Sequence, residues 1–321
     1  MESRRTFLKK GSLSLIAMQI PFAGCSKSFA YGNPRKIMPE TAAIIWYSQT
    51  GNTERTGKLI AKILEKNGIK TVASEYRDFD RDTLGNYDIV IAGSPVYYYD
   101  VPSNFKDWLN TAPNLNSASI ASFVTFGGEG GNQHNTSRTL AGILADKGGI
   151  PVGAAEFGNM STFAITWSSG NGKRVLKYKD KPDTESFNAI RNYTAQVLER
   201  IKGSTPFDID KDIDFRDMIK NTPSIWGTKL CINKHTIDTD KCIGCGVCTD
   251  KCPVDAIDIK KGTVNDDKCI ACLGCVNNCP AMAIDMEFLR KKVYGFNEFL
   301  KRNEITISEP KEFLTQLPES V

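Results

Sequence analysis

Two copies of one cysteine pattern occupy the C-terminal third of this 321-residue chain. Cys242-x-x-Cys245-x-x-Cys248-x-x-x-Cys252-Pro253 returns 27 positions later as Cys269-x-x-Cys272-x-x-Cys275-x-x-x-Cys279-Pro280. The repeat runs past the thiols, because Pro253-Val254-Asp255-Ala256-Ile257-Asp258 is matched by Pro280-Ala281-Met282-Ala283-Ile284-Asp285. Eight of the ten cysteines therefore fall between Cys242 and Cys279, while Cys25 is the only one in the first 230 residues. Thiols crowded at such short, regular spacing point to a metal-binding module. A zinc ribbon wants two C-x-x-C pairs separated by a longer loop, not a triple closed by C-x-x-x-C-P. A disulfide framework remains open for any chain that reaches an oxidising compartment with its thiols unoccupied.

Over residues 236–287 the pattern resembles the bacterial two-cluster ferredoxins. The resemblance implies two 4Fe-4S clusters with crossed ligation. Three thiolates two residues apart wrap three irons of one cubane, and the fourth, turned away by the proline after it, reaches the other. Cys242, Cys245 and Cys248 are thus expected with Cys279, and Cys269, Cys272 and Cys275 with Cys252. Cys231 stands outside both copies and reads as a small buried apolar residue.

The N-terminus bears on the disulfide alternative. Residues 1–30 read as an address: a basic start, an uncharged run from Gly11 to Gly24 too short to span a bilayer, and Ser3-Arg4-Arg5-Thr6-Phe7-Leu8-Lys9, which resembles the twin-arginine export signal. That resemblance implies export of an already folded, cofactor-loaded protein to the periplasm or the outer face of the cytoplasmic membrane, so clusters would occupy the thiols first. Phe22-Ala23-Gly24-Cys25 resembles a lipoprotein box, with Phe22 where Leu is usual, and favours a lipid anchor at Cys25. Ser28-Phe29-Ala30 offers a competing cleavage site.

Residues 41–203 alternate strand and helix. Ala43–Tyr47, Asp88–Gly93, Ala121–Phe126 and Val152–Phe157 are short apolar runs suited to buried parallel strands, and Thr71–Tyr76 suits an edge strand. The first helix follows Asn52 and Thr53 as caps, places Leu59, Ile60, Ile63 and Leu64 on one face, and stops at Asn67-Gly68. Further helices are expected at Ser103–Asn110, around Leu140, Ile143 and Leu144, and over Thr184–Ile201. Five strands alternating with helices predict an α/β, doubly wound parallel sheet. A hydrophobic content of 40% with 24% charged residues suits a chain with sizeable cores. The balance of 41 basic and 37 acidic residues holds no basic block of the kind nucleic acid selects.

Ligands of such sheets sit beyond the carboxyl ends of the strands, where three loops stand out. Ser48-Gln49-Thr50-Gly51-Asn52-Thr53 offers hydroxyls and backbone N–H groups at a helix start, suited to a phosphate; it has no lysine and is not a nucleotide-hydrolysing P-loop. Gly93-Ser94-Pro95-Val96-Tyr97-Tyr98-Tyr99 brings tyrosines that can stack on a flat ring, and Phe126-Gly127-Gly128-Glu129-Gly130-Gly131-Asn132 lets backbone amides approach a ligand edge. Phosphate, aromatic and glycine loops in this order resemble the flavodoxin family, which implies FMN and a flavodoxin-like five-stranded sheet. By that resemblance Ser48, Thr50, Asn52 and Thr53 hold the phosphate, Tyr97 or Tyr98 stacks on the isoalloxazine, and Gly127 to Gly130 line its polar edge. Flavodoxins place a second stacking aromatic in the third loop, where this chain has Gln133 and His134. One flavin face is therefore expected to be open or covered from elsewhere, with Phe163 and Trp167 of an extended stretch Ser161–Asp183 the nearest cover. His134 itself reads as a helix-start or surface residue.

Residues 204–235 read as a connector, with Trp226 an interdomain packing residue. In the tail, residues 288–321, Leu289, Val293, Phe296, Phe299 and Leu300 have helical spacing over Phe288–Lys301, suited to packing on either domain or, on a sharper reading, to a membrane surface. As a whole the chain resembles exported flavodoxin/ferredoxin fusion proteins. The expected function is electron relay between FMN, the two clusters and an unidentified redox partner protein, with catalytic residues none. The alternative is a flavin-dependent reductase of a small substrate such as a quinone, fed by the clusters. Eight aspartates against five lysines from Thr236 to Met286 suggest a partner with a basic docking surface.

Overall fold

The computed structural model describes residues 31–128, 130–212 and 214–316. The export-signal and lipid-anchor readings at residues 1–30, and the reading of Glu129, lie outside the described residues.

Strands β1 (Thr41–Trp46), β2 (Lys70–Glu75), β3 (Ile89–Pro95), β4 (Ser119–Phe126) and β5 (Ile150–Gly158) form one sheet in the order β2-β1-β3-β4-β5, every pair parallel. This is the flavodoxin-like order, and it puts the switch point between β1 and β3. Residues Ala42 to Trp46 are buried because helices cover both faces of the sheet. One core sets Leu59, Ile60 and Ile63 of helix α1 (Asn52–Lys66) and Ile190, Val197 and Ile201 of the helix Thr184–Lys202 against the strands. The opposite core holds Phe105 and Leu109 of Ser103–Asn110 with Leu140 and Leu144 of Gln133–Asp146.

A second five-stranded, antiparallel sheet follows. Strands β6 (Ile232–Ile237), β7 (Ile257–Asp258), β8 (Thr263–Val264), β9 (Ile284–Phe288) and β10 (Lys291–Val293) take the order β10-β9-β6-β8-β7. The third core crosses between the halves: Met160, Ala164, Ile165 and Trp167, which follow β5, join Val276, Met286, Val293, Phe296 and Phe299.

Four readings of the sequence need correction here. Ser161–Asp183 is not extended but contains helical segments Ala164–Thr166, Trp167–Asn171 and Gly172–Leu176. They form because Trp167 has a partner in the other half, stacking on Phe299 with ring centroids 4.5 Å apart and donating Nε1–H to the Tyr294 carbonyl at 2.9 Å. The tail opens as a hairpin, β9 to β10, and within Phe288–Lys301 only the part in the helix Phe296–Arg302 is helical, with a further short helix at Lys311–Gln316. Leu289, 61% exposed, and Arg290 form its turn, both with positive φ. Phe296 and Phe299 face the third core, and no helix among the described residues is long and apolar enough to cross a membrane. Trp226 does not fill an interface: it lies on the helix Thr222–Leu230 and is 65% exposed. Cys231, at the end of that helix, is half-buried rather than buried.

The connector is anchored. Asn221 donates its backbone N–H to the Tyr98 carbonyl at 2.8 Å and its side-chain amide to Asp100 at 3.0 Å. Asn132 and Asn135 donate to Asp217 at 2.9 Å and to the Asp212 carbonyl at 2.8 Å.

Candidate functional site

The ends of β1, β3 and β4 open into a cavity of about 520 Å³, within the usual range for a cofactor site. Of the residues singled out in the sequence, Ser48, Gln49, Thr50, Asn52, Thr53, Pro95, Val96, Tyr97, Tyr98 and Gly127 line it. Gly51, Gly128 and Gly130 are not among its lining residues, whereas Gly131 is. Gly127 is needed for a close approach, since a Cβ there would stand 2.2 Å from the Ser161 backbone.

The start of α1 departs from the expected capping. Gly51, with φ +90°, holds the N-cap position, and no side chain caps the helix, neither Asn52 nor Thr53. The Ser48 hydroxyl accepts the Gly51 N–H at 3.2 Å, and the Thr53 hydroxyl pairs with that of Thr125 at 2.8 Å. A 15-residue helix without a side-chain cap presents its first N–H groups and positive dipole end to the cavity, which fits a phosphate. Tyr97 and Tyr98 supply the aromatic wall. Burial pushes both hydroxyls well above the usual tyrosine range, so each is a neutral donor.

The opposite wall comes from elements that sequence reasoning did not place there. Ile219, Gly227 and Thr228 of the connector line the cavity, with Ala271 and Cys272 of the cysteine-rich half. Phe163 lines it as expected and meets Tyr98 edge-on at 6.1 Å, but Trp167 does not reach it. The Tyr98 hydroxyl donates to the Ala271 carbonyl at 2.9 Å. No local signal could have shown this, because the partners lie 173 positions apart.

The eight repeat cysteines divide into two groups. Cys242, Cys245, Cys248 and Cys279 line one small cavity; Cys252, Cys269, Cys272 and Cys275 line a second. The crossed assignment rests on the same two groups. Four thiols around each cavity match the one thiolate per iron that a 4Fe-4S cubane takes. Backbone N–H groups point at the sulfurs: Ala256 to Cys252 and Ala283 to Cys279, both at 3.2 Å, and Ala271 to Cys269 at 3.4 Å. His235 Nε2 lies 3.4 Å from Cys275 Sγ. Burial pushes the Cys272 thiol up to about 12 and that of Cys275 well above its usual range. A bound cluster would supply the positive charge that holds them as thiolates.

Comparison with known proteins agrees with this geometry. Residues 44–191 match the flavodoxin family, and residues 234–280 match the 4Fe-4S dicluster domain. The pyruvate synthase subunit PorD of Methanothermobacter marburgensis is 48% identical over 54 residues, 16% of this chain. The chain spans 60% of the length of that curated relative. Among solved structures, a flavodoxin from the domain Archaea is 16% identical with a TM-score of 0.39, covering 50% of this chain and 99% of that one. Flavodoxin 1 of Bacillus cereus is 17% identical with a TM-score of 0.38, covering 50% and 97%. The chain therefore joins a flavodoxin domain to a 4Fe-4S dicluster ferredoxin domain, and its cofactors are FMN and two 4Fe-4S clusters.

Proposed function

We propose that the chain is an electron relay in which the Cys252, Cys269, Cys272 and Cys275 cluster lies beside the flavin and the Cys242, Cys245, Cys248 and Cys279 cluster faces an external redox partner. One observation carries this order: Cys272 lines both the flavin cavity and the second thiol cavity. FMN exchanges two electrons singly or as a pair, whereas a 4Fe-4S cluster exchanges one, so the pair converts between the two regimes. The start of α1, with Ser48, Thr50, Asn52 and Thr53, holds the phosphate, and Tyr97 and Tyr98 flank the ring. Thr228, Ala271 and Cys272 keep water from the side facing the dicluster half. At the outer cluster Cys245 is exposed and its neighbour Ile243 is 69% exposed, which suits contact with a partner.

The location is part of the same reading. Ser3–Lys9 supports twin-arginine export and Cys25 supports a lipid anchor, which would set the relay outside the cytoplasmic membrane. Lysines engage Asp238, Asp258 and Asp285, so a basic partner would meet the remaining aspartates.

The test compares two ligand deletions in anaerobically purified protein. Cys252→Ala and Cys245→Ala should each lower iron from about eight to about four per chain. The cluster that survives in Cys245→Ala should still exchange electrons rapidly with FMN, and the one surviving in Cys252→Ala should not. The opposite pattern would overturn the order. Quinone turnover by protein reduced through its clusters, lost in Tyr98→Ala, would replace the relay by the reductase reading.

A further inference from the structure

Gln49 belongs to the phosphate loop, yet most of its bonds reach the other half of the chain. It is 2% exposed. Its Nε2 donates to the Lys251 carbonyl at 2.9 Å, one residue before Cys252, and to the Tyr47 hydroxyl at 2.8 Å. Its main-chain carbonyl accepts the Asn278 side-chain amide at 2.9 Å, one residue before Cys279. Its Oε1 is buried without a hydrogen-bond partner and lies against Gly274, between Cys272 and Cys275, where a Cβ would come within 1.8 Å. Through its side chain and its carbonyl one residue thus bonds the segments before Cys252 and Cys279 and packs on the segment between Cys272 and Cys275, all from the loop assigned to the FMN phosphate. A buried amide with an unmet acceptor is retained only where its other bonds hold it.

We infer that Gln49 couples the two cofactor sites, so that filling the cluster cavity beside the flavin strengthens FMN binding, and FMN in turn stabilises that cluster. The physical basis is shared ordering. A cluster fixes residues 251–252 and 272–275, those residues fix the Gln49 amide and backbone, and the phosphate loop then needs no further ordering to bind. Linkage makes the effect reciprocal. Gln49 acts here as a positioning residue, and the inference rests on the FMN phosphate lying in the 48–53 loop, as proposed above.

The test titrates FMN into flavin-free protein with both clusters intact and into Cys269→Ala, which loses the flavin-side cluster without removing a residue that lines the cavity. With Gln49 present, loss of that cluster should weaken FMN binding about tenfold, a usual size for couplings through one or two hydrogen bonds. In Gln49→Met, which keeps the side-chain length and deletes the two side-chain bonds while the carbonyl still accepts from Asn278, the ratio should fall to about two. Asn278→Leu, which removes only the bond to the Gln49 carbonyl, should give an intermediate ratio and serves if Gln49→Met does not load its outer cluster. Flavin removal should alter the EPR spectrum of the flavin-side cluster and leave that of the other unchanged. A ratio near one with Gln49 present, or a tenfold ratio surviving in both variants, would overturn the inference. Absence of FMN binding in the unaltered protein would instead remove the proposed function beneath it.

Discussion

Gly274→Ala probes the contact between the halves with a single methyl. The added Cβ would stand 1.8 Å from Gln49 Oε1 and 2.7 Å from its Cδ, so one of the two must move. A long side chain usually swings away at little cost, but this one is held at 2.9 and 2.8 Å by Lys251 and Tyr47. Swinging it out forfeits two hydrogen bonds at about 1 kcal/mol each and leaves the Lys251 carbonyl without a donor, for a total of about 2–4 kcal/mol. Anaerobic urea titration, followed by visible absorbance of the clusters and by tryptophan fluorescence, measures the loss. Gln49→Ala should lose stability by itself, but adding Gly274→Ala to it should cost less than about 0.5 kcal/mol, because the obstructing amide is gone. A loss below about 0.5 kcal/mol in the single Gly274→Ala variant, or equal losses in both backgrounds, would refute the reasoning.

Trp167→Ala should cost about 3–5 kcal/mol, since the ring is 4% exposed and stacked on Phe299; a loss under about 1 kcal/mol in the same titration would count against a shared third core. Tyr98→Phe should lower stability by about 1–2 kcal/mol through its bond to Ala271, by the same amount from pH 6 to 9 because burial holds the hydroxyl neutral throughout. Burial alone would raise the Asp183 carboxyl, but the Ser186 N–H and the Lys181 ammonium outweigh it and hold it at about 2. Because that value lies below the unfolded value near 4, the capping stability is present above about pH 4 and fades as pH falls towards 2. Asp183→Asn should therefore differ from the parent by about 1 kcal/mol at pH 7, with circular dichroism melts converging below about pH 4.

Much of the flavodoxin half was legible because its signals are local. Buried parallel strands are continuous apolar runs, and Asn67-Gly68 stops α1 as its φ of +80° at Gly68 requires. The thiol grouping was legible for another reason: cluster chemistry dictates ligand spacing. What escaped were features whose causes lie far away in sequence. Phe288 to Leu300 has helical spacing, but Val293 pairs with Met286 across a hairpin, and a Leu289-Arg290 turn carries none of the Asn-Gly chemistry that announces one. Residues 161–183 looked extended because Trp167 finds its partners far along the chain, at Tyr294, Phe296 and Phe299. The dicluster wall of the flavin cavity rests on pairs such as Tyr98 with Ala271 and Gln49 with Asn278, which no single-sequence pattern encodes.

The anchored connector bears on the kinetics of the proposed relay. Carrier domains on loose tethers deliver electrons by diffusing between docking positions, and their rates fall as the solvent thickens. Here Asn221 of the connector bonds Tyr98 and Asp100, and Asn132 and Asn135 of the flavodoxin half hold the connector's Asp217 and Asp212. The donor and acceptor sites are held at a fixed separation, so exchange between them should proceed at the same rate in glycerol as in buffer. Viscosity should slow only the arrival of a partner from outside.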